Sequence, residues 1–210
     1  MKIHILLIFI LSLISCTKEI NKLPIYGRSE ITKKVINGEV IIDTTNHSIN
    51  RFSFFNQDSI EITRETFDNA IYVADFFFTT CPTICPIMQN NLLLVYNEFS
   101  ENNNVKYLSH TINPEYDNSK ILKKYAQKLG VSSDRWHFVT GEIEDIYKIA
   151  KDSYMVSALE DENEPGGFLH SGTFLLIDTN KNIRGIYDGT NETEMYRLMR
   201  DIKILLKSIS

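Results

Sequence analysis

Cysteine is scarce in this sequence, and its scarcity excludes several kinds of site. The 210 residues contain three cysteines, Cys16, Cys81 and Cys85. Because the chain has no second cysteine pair, a four-thiolate zinc site is excluded. Cys16 lies in a predicted processing site, so every thiol of the folded part belongs to one motif. No additional structural disulfide can form there.

An excess of basic charge and a membrane-spanning apolar run are also missing. Lys and Arg number 22 against 27 Asp and Glu, which gives a net charge of −5. The basic residues form no stripe, so nucleic acid is not an expected partner. The N-terminal apolar run, residues 3–13, is too short to cross a bilayer as a helix.

The N-terminus predicts export. Met1 and Lys2 supply a short basic start, and residues 13–16, Leu-Ile-Ser-Cys, form a small-residue processing site after the apolar run. This order is typical of a secretion signal. Its last four residues resemble the bacterial lipobox, in which the cysteine becomes the lipidated first residue of the mature protein. The alternative is an ordinary signal peptide with an incidental Cys16.

Three segments follow from this interpretation. They are a lipoprotein signal peptide over residues 1–15, lipidated Cys16 with a flexible tether over residues 16–33, and one domain over residues 34–210. We expect a membrane-anchored lipoprotein of the bacterial cell envelope with its domain outside the cytoplasm. Thiols tend to be oxidised there, so a reduced pair needs a reducing partner or a bound metal.

Cys81 and Cys85 lie within residues 76–86, Phe-Phe-Phe-Thr-Thr-Cys-Pro-Thr-Ile-Cys-Pro, between a β-rich apolar segment and an amphipathic one. Both sulfurs are therefore predicted where a buried strand turns into the start of a helix. Unpaired N–H groups and the helix dipole stabilise an anion there, so we expect a lowered pKa for both thiols. At positions i and i+4 they would share one helical face and could chelate a soft metal ion or close a disulfide. The alternative is a purely structural disulfide.

Strands and helices are predicted to alternate from residue 71 onward, after two β-hairpins that turn at residues 37–38 and 56–58. Strands are predicted over residues 105–112, 136–140, 174–177 and 183–187, and helices after Cys85 and over residues 119–129, 143–150 and 192–206. The order predicts an α/β fold, a thioredoxin-like sheet flanked by helices with additional N-terminal β-hairpin structure. The apolar stripes predicted to face the core are Ile84, Met88, Leu92, Val95, Tyr96 and Phe99 in the first helix and Met195, Leu198, Met199, Ile202, Leu205 and Leu206 in the last.

Most of the potential nitrogen and thioether ligands are better explained as structural residues. Met88 lies on an apolar helical stripe, which favours core packing. One of the five histidines leaves with the signal peptide, and His47 lies in a polar segment. His110 and His137 lie in predicted strands, where a satisfied or surface histidine is the favoured interpretation. His170 differs because it follows the acidic, glycine-containing loop of residues 160–167, which can leave it exposed and mobile.

Three motifs together resemble the Sco/SenC family. They are Phe-Phe-Thr-Thr-Cys-Pro-Thr-Ile-Cys-Pro at residues 77–86, Ile-Asn-Pro at 112–114, and Leu-His-Ser at 169–171 before Phe-Leu-Leu-Ile-Asp at 174–178. The similarity covers residues 48–207. Members are thioredoxin-like, membrane-tethered proteins that deliver copper to the dinuclear CuA centre of cytochrome c oxidase. The resemblance implies that Cys81, Cys85 and His170 are copper ligands.

Two positions depart from the pattern of many members. Thr83 and Asn113 stand where those members have aspartate. The two carboxylates that could orient a ligand or attract a positively charged partner are therefore missing. The surroundings of the site cannot be carried over from the family, whereas the two thiolates and the imidazole are intact.

The leading hypothesis is a copper metallochaperone. Such a protein binds copper and does not catalyse a reaction. Thiolates suit Cu(I), and an imidazole supports Cu(II). The expected partners are the CuA-bearing subunit of cytochrome c oxidase or another copper protein, and a thiol reductant. The alternative is an enzyme, a membrane-anchored thiol–disulfide oxidoreductase that reduces oxidase-subunit cysteines with Cys81 and Cys85 as its redox pair. A peroxiredoxin-like peroxidase is a weaker third hypothesis, since the spacing of the cysteines and a distant histidine do not supply its usual peroxide pocket.

Overall fold

The computed structural model describes residues 22–36, 39–160 and 168–209, with the backbone alone for residues 159–160 and 168–170. The predicted signal peptide, Cys16, the turn at residues 37–38 and most of the acidic loop before His170 lie outside this part of the chain. Within it, no helix is both long and apolar enough to cross a membrane.

In the described part of the chain, strands and helices alternate from residue 71 to residue 149, after which several strands precede the last helix. The strands are β1 Glu30–Ile36, β2 Glu39–Thr45, β3 Ser53–Asn56, β4 Glu61–Thr63, β5 Ile71–Phe77, β6 Val105–Thr111, β7 Trp136–Thr140, β8 Ala158–Glu160, β9 Phe168–His170, β10 Thr173–Ile177 and β11 Ile183–Asp188. The helices are α1 Ile84–Glu98, α2 Ser119–Leu129, α3 Ile143–Ile149, which continues as one π-helical turn, and α4 Glu192–Leu206.

Seven of these strands form the central sheet, in the order β11-β10-β5-β6-β7-β3-β4. The strands β5, β6 and β7 run parallel, and the strands on either side of them pair antiparallel. All seven residues of β5 are buried, as expected for a central parallel strand that is covered on both faces. The predicted α/β, thioredoxin-like fold is confirmed.

Most residues of the predicted apolar stripes are confirmed in the core. Four side chains of α1 and its C-cap and four of α4 are buried, namely Met88, Leu92, Val95, Phe99, Met195, Leu198, Ile202 and Leu205. The remaining four lie half-buried at the edge of the core, namely Ile84, Tyr96, Met199 and Leu206. Helix α2 ends, as predicted, at Gly130, which adopts a φ of 72° that suits glycine.

Both predicted hairpins are present. β1 pairs with β2 as a separate two-stranded sheet, with Ile36 opposite Glu39. β3 pairs with β4 and joins the central sheet through β7. A third, unpredicted hairpin consists of β8 and β9, which flank the acidic loop. Its pairing joins short strands separated by several polar residues, so local periodicity did not reveal it.

The folded part begins earlier than the predicted boundary at residue 34. Leu23 is buried, and Arg184 donates a hydrogen bond of 2.8 Å to the carbonyl of Pro24. The N–H of Tyr26 donates to the carbonyl of Ile183 in β11 at 2.9 Å. Residues 23–26 of the segment predicted as a tether are thus held along the sheet, because Arg184 and the backbone of β11 bind them.

His110 and His137 are buried in the core, which agrees with the preference for a structural role. The expectation that such residues would be satisfied or on the surface is wrong, because their ring nitrogens have no hydrogen-bond partner among the described residues. Aromatic rings surround His110, with the ring of Phe76 stacked at 4.8 Å between centroids. Burial lowers the pKa of His110 to about 3 and that of His137 to about 4.

These histidines predict a loss of stability in acid. Between pH 7.5 and 5.5 the unfolded chain takes up protons at both rings, whose pKa is then near 6.5, while the folded protein does not. The unfolded state therefore binds more protons. As the pH is lowered over this range, the free energy of unfolding falls by about 1.4 kcal/mol for each histidine. Substitution His110→Phe keeps a flat ring in the aromatic cluster. It should make the decrease in the free energy of unfolding between pH 7.5 and 5.5 smaller by about 1.4 kcal/mol. Urea denaturation at the two pH values measures it.

Comparison with the wild type removes the contribution of other groups. Asp75 acts in the opposite direction, because burial raises its pKa to about 7 and its folded form keeps a proton that the unfolded form releases. An identical pH dependence for His110→Phe and the wild type would contradict the assignment.

Candidate metal and thiol site

The two cysteines lie where β5 is followed by the start of α1, as predicted. Cys85 is in the first turn of α1, but Cys81 precedes the helix, which begins at Ile84. The prediction that both cysteines share one helical face is therefore wrong for Cys81. Pro82 explains the difference, since the residue before a proline is disfavoured in helical conformation. Pro86 fits the first turn, where its missing N–H costs nothing.

The pKa values of the two thiols move in opposite directions. Burial raises the pKa of Cys81, but hydrogen bonds from the backbone N–H groups of Cys85 and Thr83 outweigh it, and the net shift is downward. Burial raises the pKa of Cys85, and the neighbouring Cys81 and Asp75 raise it further. The predicted lowering is thus confirmed for Cys81 and wrong for Cys85. The N–H groups at the helix start point to the first sulfur, while the second is desolvated against the core.

A buried carboxylate holds the turn that leads to Cys81. Asp117 is fully buried and accepts hydrogen bonds from the N–H of Thr79 at 3.0 Å and from the hydroxyl of Thr111 at 2.6 Å. The hydroxyl of Thr79 also donates to it. Asp117 therefore ties the approach to Cys81 to the end of β6. Sequence analysis missed this residue, although the ends of adjacent parallel strands meet at one edge of a sheet.

A second buried polar network lies beside Cys85. Asp75 in β5 accepts a hydrogen bond of 2.8 Å from the amide of Gln89 in α1 and another from the hydroxyl of Ser109 in β6. The indole N–H of Trp136 donates to that hydroxyl at 2.9 Å. Asp75 was also missed, although a carboxylate inside an otherwise apolar strand is the signal that could have found it.

Both cysteines open on one cleft of about 360 Å³. The other residues that line it are Phe78, Thr79, Pro86, Gln89, Asn90, Tyr125, Lys128 and Leu129. Cys81 is 6% exposed and Cys85 1%, so the first sulfur is the more accessible of the two. The cleft connects both thiols to the surface of the protein.

The chain just after His170 approaches the start of α1. His170 lies opposite Ala158 in the β8–β9 hairpin. Two residues later, a Cβ built on Gly172 would lie 3.6 Å from the side chain of Ile84, which is the residue before Cys85. Two residues span at most about 7 Å, so the backbone of His170 lies within that distance of Gly172, which lies next to this side chain. Its side chain lies outside the described residues.

Other residues considered in the sequence analysis lie away from the two cysteines or bind other groups. Met88 is buried in the core. The imidazole of His47 lies 2.7 Å from the carbonyl of Ser153, and the N–H of Asn113 donates to the hydroxyl of Thr111 at 3.1 Å. Thr83, in contrast, has its hydroxyl 3.7 Å from the sulfur of Cys81. No group of three or more His, Cys, Asp or Glu side chains suited to a metal occurs among the described residues.

Comparison with known proteins gives consistent results. Residues 42–207 match the family model described as SCO1/SenC. A SCO1 protein homolog from Bacillus subtilis (strain 168) is 31% identical over 168 residues, which cover 79% of this chain and 86% of that protein. A SCO1/SenC family lipoprotein from Bacillus anthracis str. Ames is 31% identical, with a TM-score of 0.71 over 76% of this chain and 95% of the other.

A further solved structure is that of BsSco, described as a member of the Sco family of cytochrome c oxidase assembly proteins with a disulfide switch. It is 30% identical, with a TM-score of 0.68 over 76% of this chain and 94% of the other. The family model covers well over half of the present sequence, and its span includes both cysteines and His170. This chain therefore belongs to the SCO1/SenC family.

Proposed function

We propose that this protein is a copper metallochaperone that delivers copper to the CuA site of cytochrome c oxidase, with Cys81, Cys85 and His170 as ligands. The observation that carries the proposal is the position of the thiols. Both line one cleft at the start of α1, and Gly172, two residues after His170, lies next to the side chain of Ile84 in the same helix turn. Membership of the SCO1/SenC family supports it, as does the description of BsSco as an oxidase assembly protein.

The donor set suits copper as a cargo. Thiolates are soft ligands that favour Cu(I), and the imidazole nitrogen supports Cu(II). Cys81, whose pKa is lowered, readily supplies a thiolate, whereas Cys85 must lose its proton when it binds the metal. Copper binding is therefore coupled to proton release, and the affinity for copper rises with pH.

A copper titration tests the proposal. We expect the reduced protein to bind one Cu(I) per chain, with an affinity that rises by up to about tenfold per pH unit because Cys85 releases its proton. Competition with a coloured Cu(I) chelator at several pH values measures both quantities. The control is the double variant Cys81→Ser, Cys85→Ser, which should bind no stoichiometric copper. Unchanged stoichiometry in this variant would refute the proposal.

The proposal includes a lipid anchor at Cys16, with the domain outside the cytoplasm. The predicted processing site supports it, and the relative from Bacillus anthracis is a lipoprotein. Leu23, which is held against the domain, follows Cys16 by seven residues. Seven extended residues span at most about 25 Å. The anchor therefore keeps Leu23 within that distance of the bilayer.

Substitution Cys16→Ser is expected to abolish lipid attachment and to move the protein out of the membrane fraction, into soluble or unprocessed forms. Cell fractionation and intact mass measure the effect. A wild-type protein without a lipid mass, together with unchanged fractionation of the variant, would contradict the anchor.

A second candidate function is thiol–disulfide exchange with oxidase-subunit cysteines, and the opposite pKa shifts of the two thiols favour it. The Cys81 thiolate would attack a partner's disulfide and form a mixed disulfide, releasing one partner thiolate that takes up a proton. Cys85, after losing its proton, would attack the sulfur of Cys81 and release the second partner thiol. The partner's disulfide is reduced to two thiols, and Cys81 and Cys85 are oxidised to a disulfide. A separate thiol reductant must then restore the pair.

A further inference from the structure

The β1–β2 hairpin exposes aliphatic side chains that the proposed copper site does not use. All of its described residues are exposed, and it forms a sheet separate from the central one. An isolated two-stranded hairpin is marginally stable at best in water. A contiguous exposed apolar surface also marks a contact site. The hairpin therefore needs a partner surface in the working protein.

The pairing register divides the hairpin into two different faces. Residues opposite each other in an antiparallel pair point to the same side. The apolar face consists of Ile31, Lys33, Val35, Val40, Ile42 and Thr44, and its four aliphatic residues are between 62% and 70% exposed. The opposite face carries all three carboxylates of the hairpin, Glu30, Glu39 and Asp43. One face is thus free of negative charge.

We propose that the apolar face rests on the lipid bilayer, at the level of the headgroups and upper acyl chains. This inference depends on the proposed anchor at Cys16, which holds Leu23, seven residues before β1, within about 25 Å of the membrane. The seven-residue strands of the hairpin are themselves about 23 Å long. The hairpin can therefore reach the surface to which the chain is tethered.

Lys33 favours lipid over a second copy of this chain. It lies on the apolar face and makes no ion pair with another described residue, whereas Lys34 on the opposite face pairs with Asp43 at 3.4 Å. A symmetric dimer through the apolar face would bury unpaired lysines in an apolar contact, which is costly. At a membrane, the lysine can extend its ammonium group to lipid phosphates while its stem stays among the acyl chains.

Tryptophan placed on each face tests the proposal in the full-length lipidated protein. Val35→Trp reports on the apolar face, and Ile41→Trp is its matched control on the other. The single native tryptophan, Trp136, is buried and gives a constant background. The proteins are reconstituted into vesicles of phosphatidylcholine and phosphatidylglycerol with bromine on the upper acyl carbons.

We expect the added emission of Val35→Trp to shift to the blue and to be quenched by the brominated lipid, while that of Ile41→Trp stays solvent-like. Adding Lys33→Glu to Val35→Trp should reduce the quenching. Flotation of the same samples reports on the anchor separately. If the proteins float but neither tryptophan is quenched, the anchor stands and the hairpin proposal fails. If no variant floats with the vesicles, the proposed anchor at Cys16 is refuted, and the proposed contact of the hairpin with the bilayer is refuted with it. A blue shift of Val35→Trp in detergent that grows with protein concentration would show that a second copy covers the face instead.

Discussion

Replacing His170 by alanine is expected to weaken Cu(II) binding by at least about a hundredfold, while the affinity for Cu(I) falls by less than about tenfold. Two thiolates already satisfy Cu(I), whereas Cu(II) gains from a harder nitrogen ligand. The wild-type Cu(II) complex should show an intense sulfur-to-copper charge-transfer absorption, which the variant forms only at much higher copper concentration. Titrations in both oxidation states measure the difference.

The same variant separates the metallochaperone from the oxidoreductase. The reduction potential of Cys81 and Cys85 should stay within about 30 mV of the wild-type value, because disulfide formation depends on thiolate character and access. His47→Ala is a matched control, since that imidazole contacts Ser153 rather than the thiol cleft. Full Cu(II) affinity in His170→Ala would remove the histidine from the ligand set. Normal copper binding combined with failed oxidase assembly would assign it to partner docking.

Cys81→Ser is expected to slow the reaction with an external disulfide at neutral pH by at least about a hundredfold, whereas Cys85→Ser should react as fast as the wild type. The sulfur of Cys81 accepts hydrogen bonds from backbone N–H groups at the helix start, and Cys81 is the more exposed of the two cysteines. Cys85 keeps its proton because it is desolvated. Stopped-flow mixing of each reduced variant with an aromatic disulfide measures the rates.

The products provide an independent check on this order of attack. Cys85→Ser should accumulate a stable mixed disulfide through Cys81, visible by intact mass, because no second thiol remains to resolve it. The wild type should release both halves of the reagent and end as an internal disulfide. Rapid adduct formation at Cys85 in Cys81→Ser would reverse the assignment of the two thiols.

The described structure shows which features of the site depend on distant residues. Asp117 holds Thr79 across 38 positions of the chain, and Gln57 accepts from and donates to the backbone of β7. No local pattern marks either contact, since each needs two strands to be adjacent in the sheet. The pairing of β8 with β9, which places His170 opposite Ala158, has the same origin.

The sequence by itself determined the elements whose causes are local. Apolar periodicity predicted α1 and α4, Gly130 marked the end of α2, and the cysteines were correctly placed where a buried strand turns into the start of a helix. These features depend on neighbours within a few residues, so they can be recognised in the chain. Only the tertiary structure decided that the two thiols differ in pKa and that Asp117 holds the turn before Cys81. Those properties depend on burial and on the direction of hydrogen bonds, which exist only after distant segments have packed together.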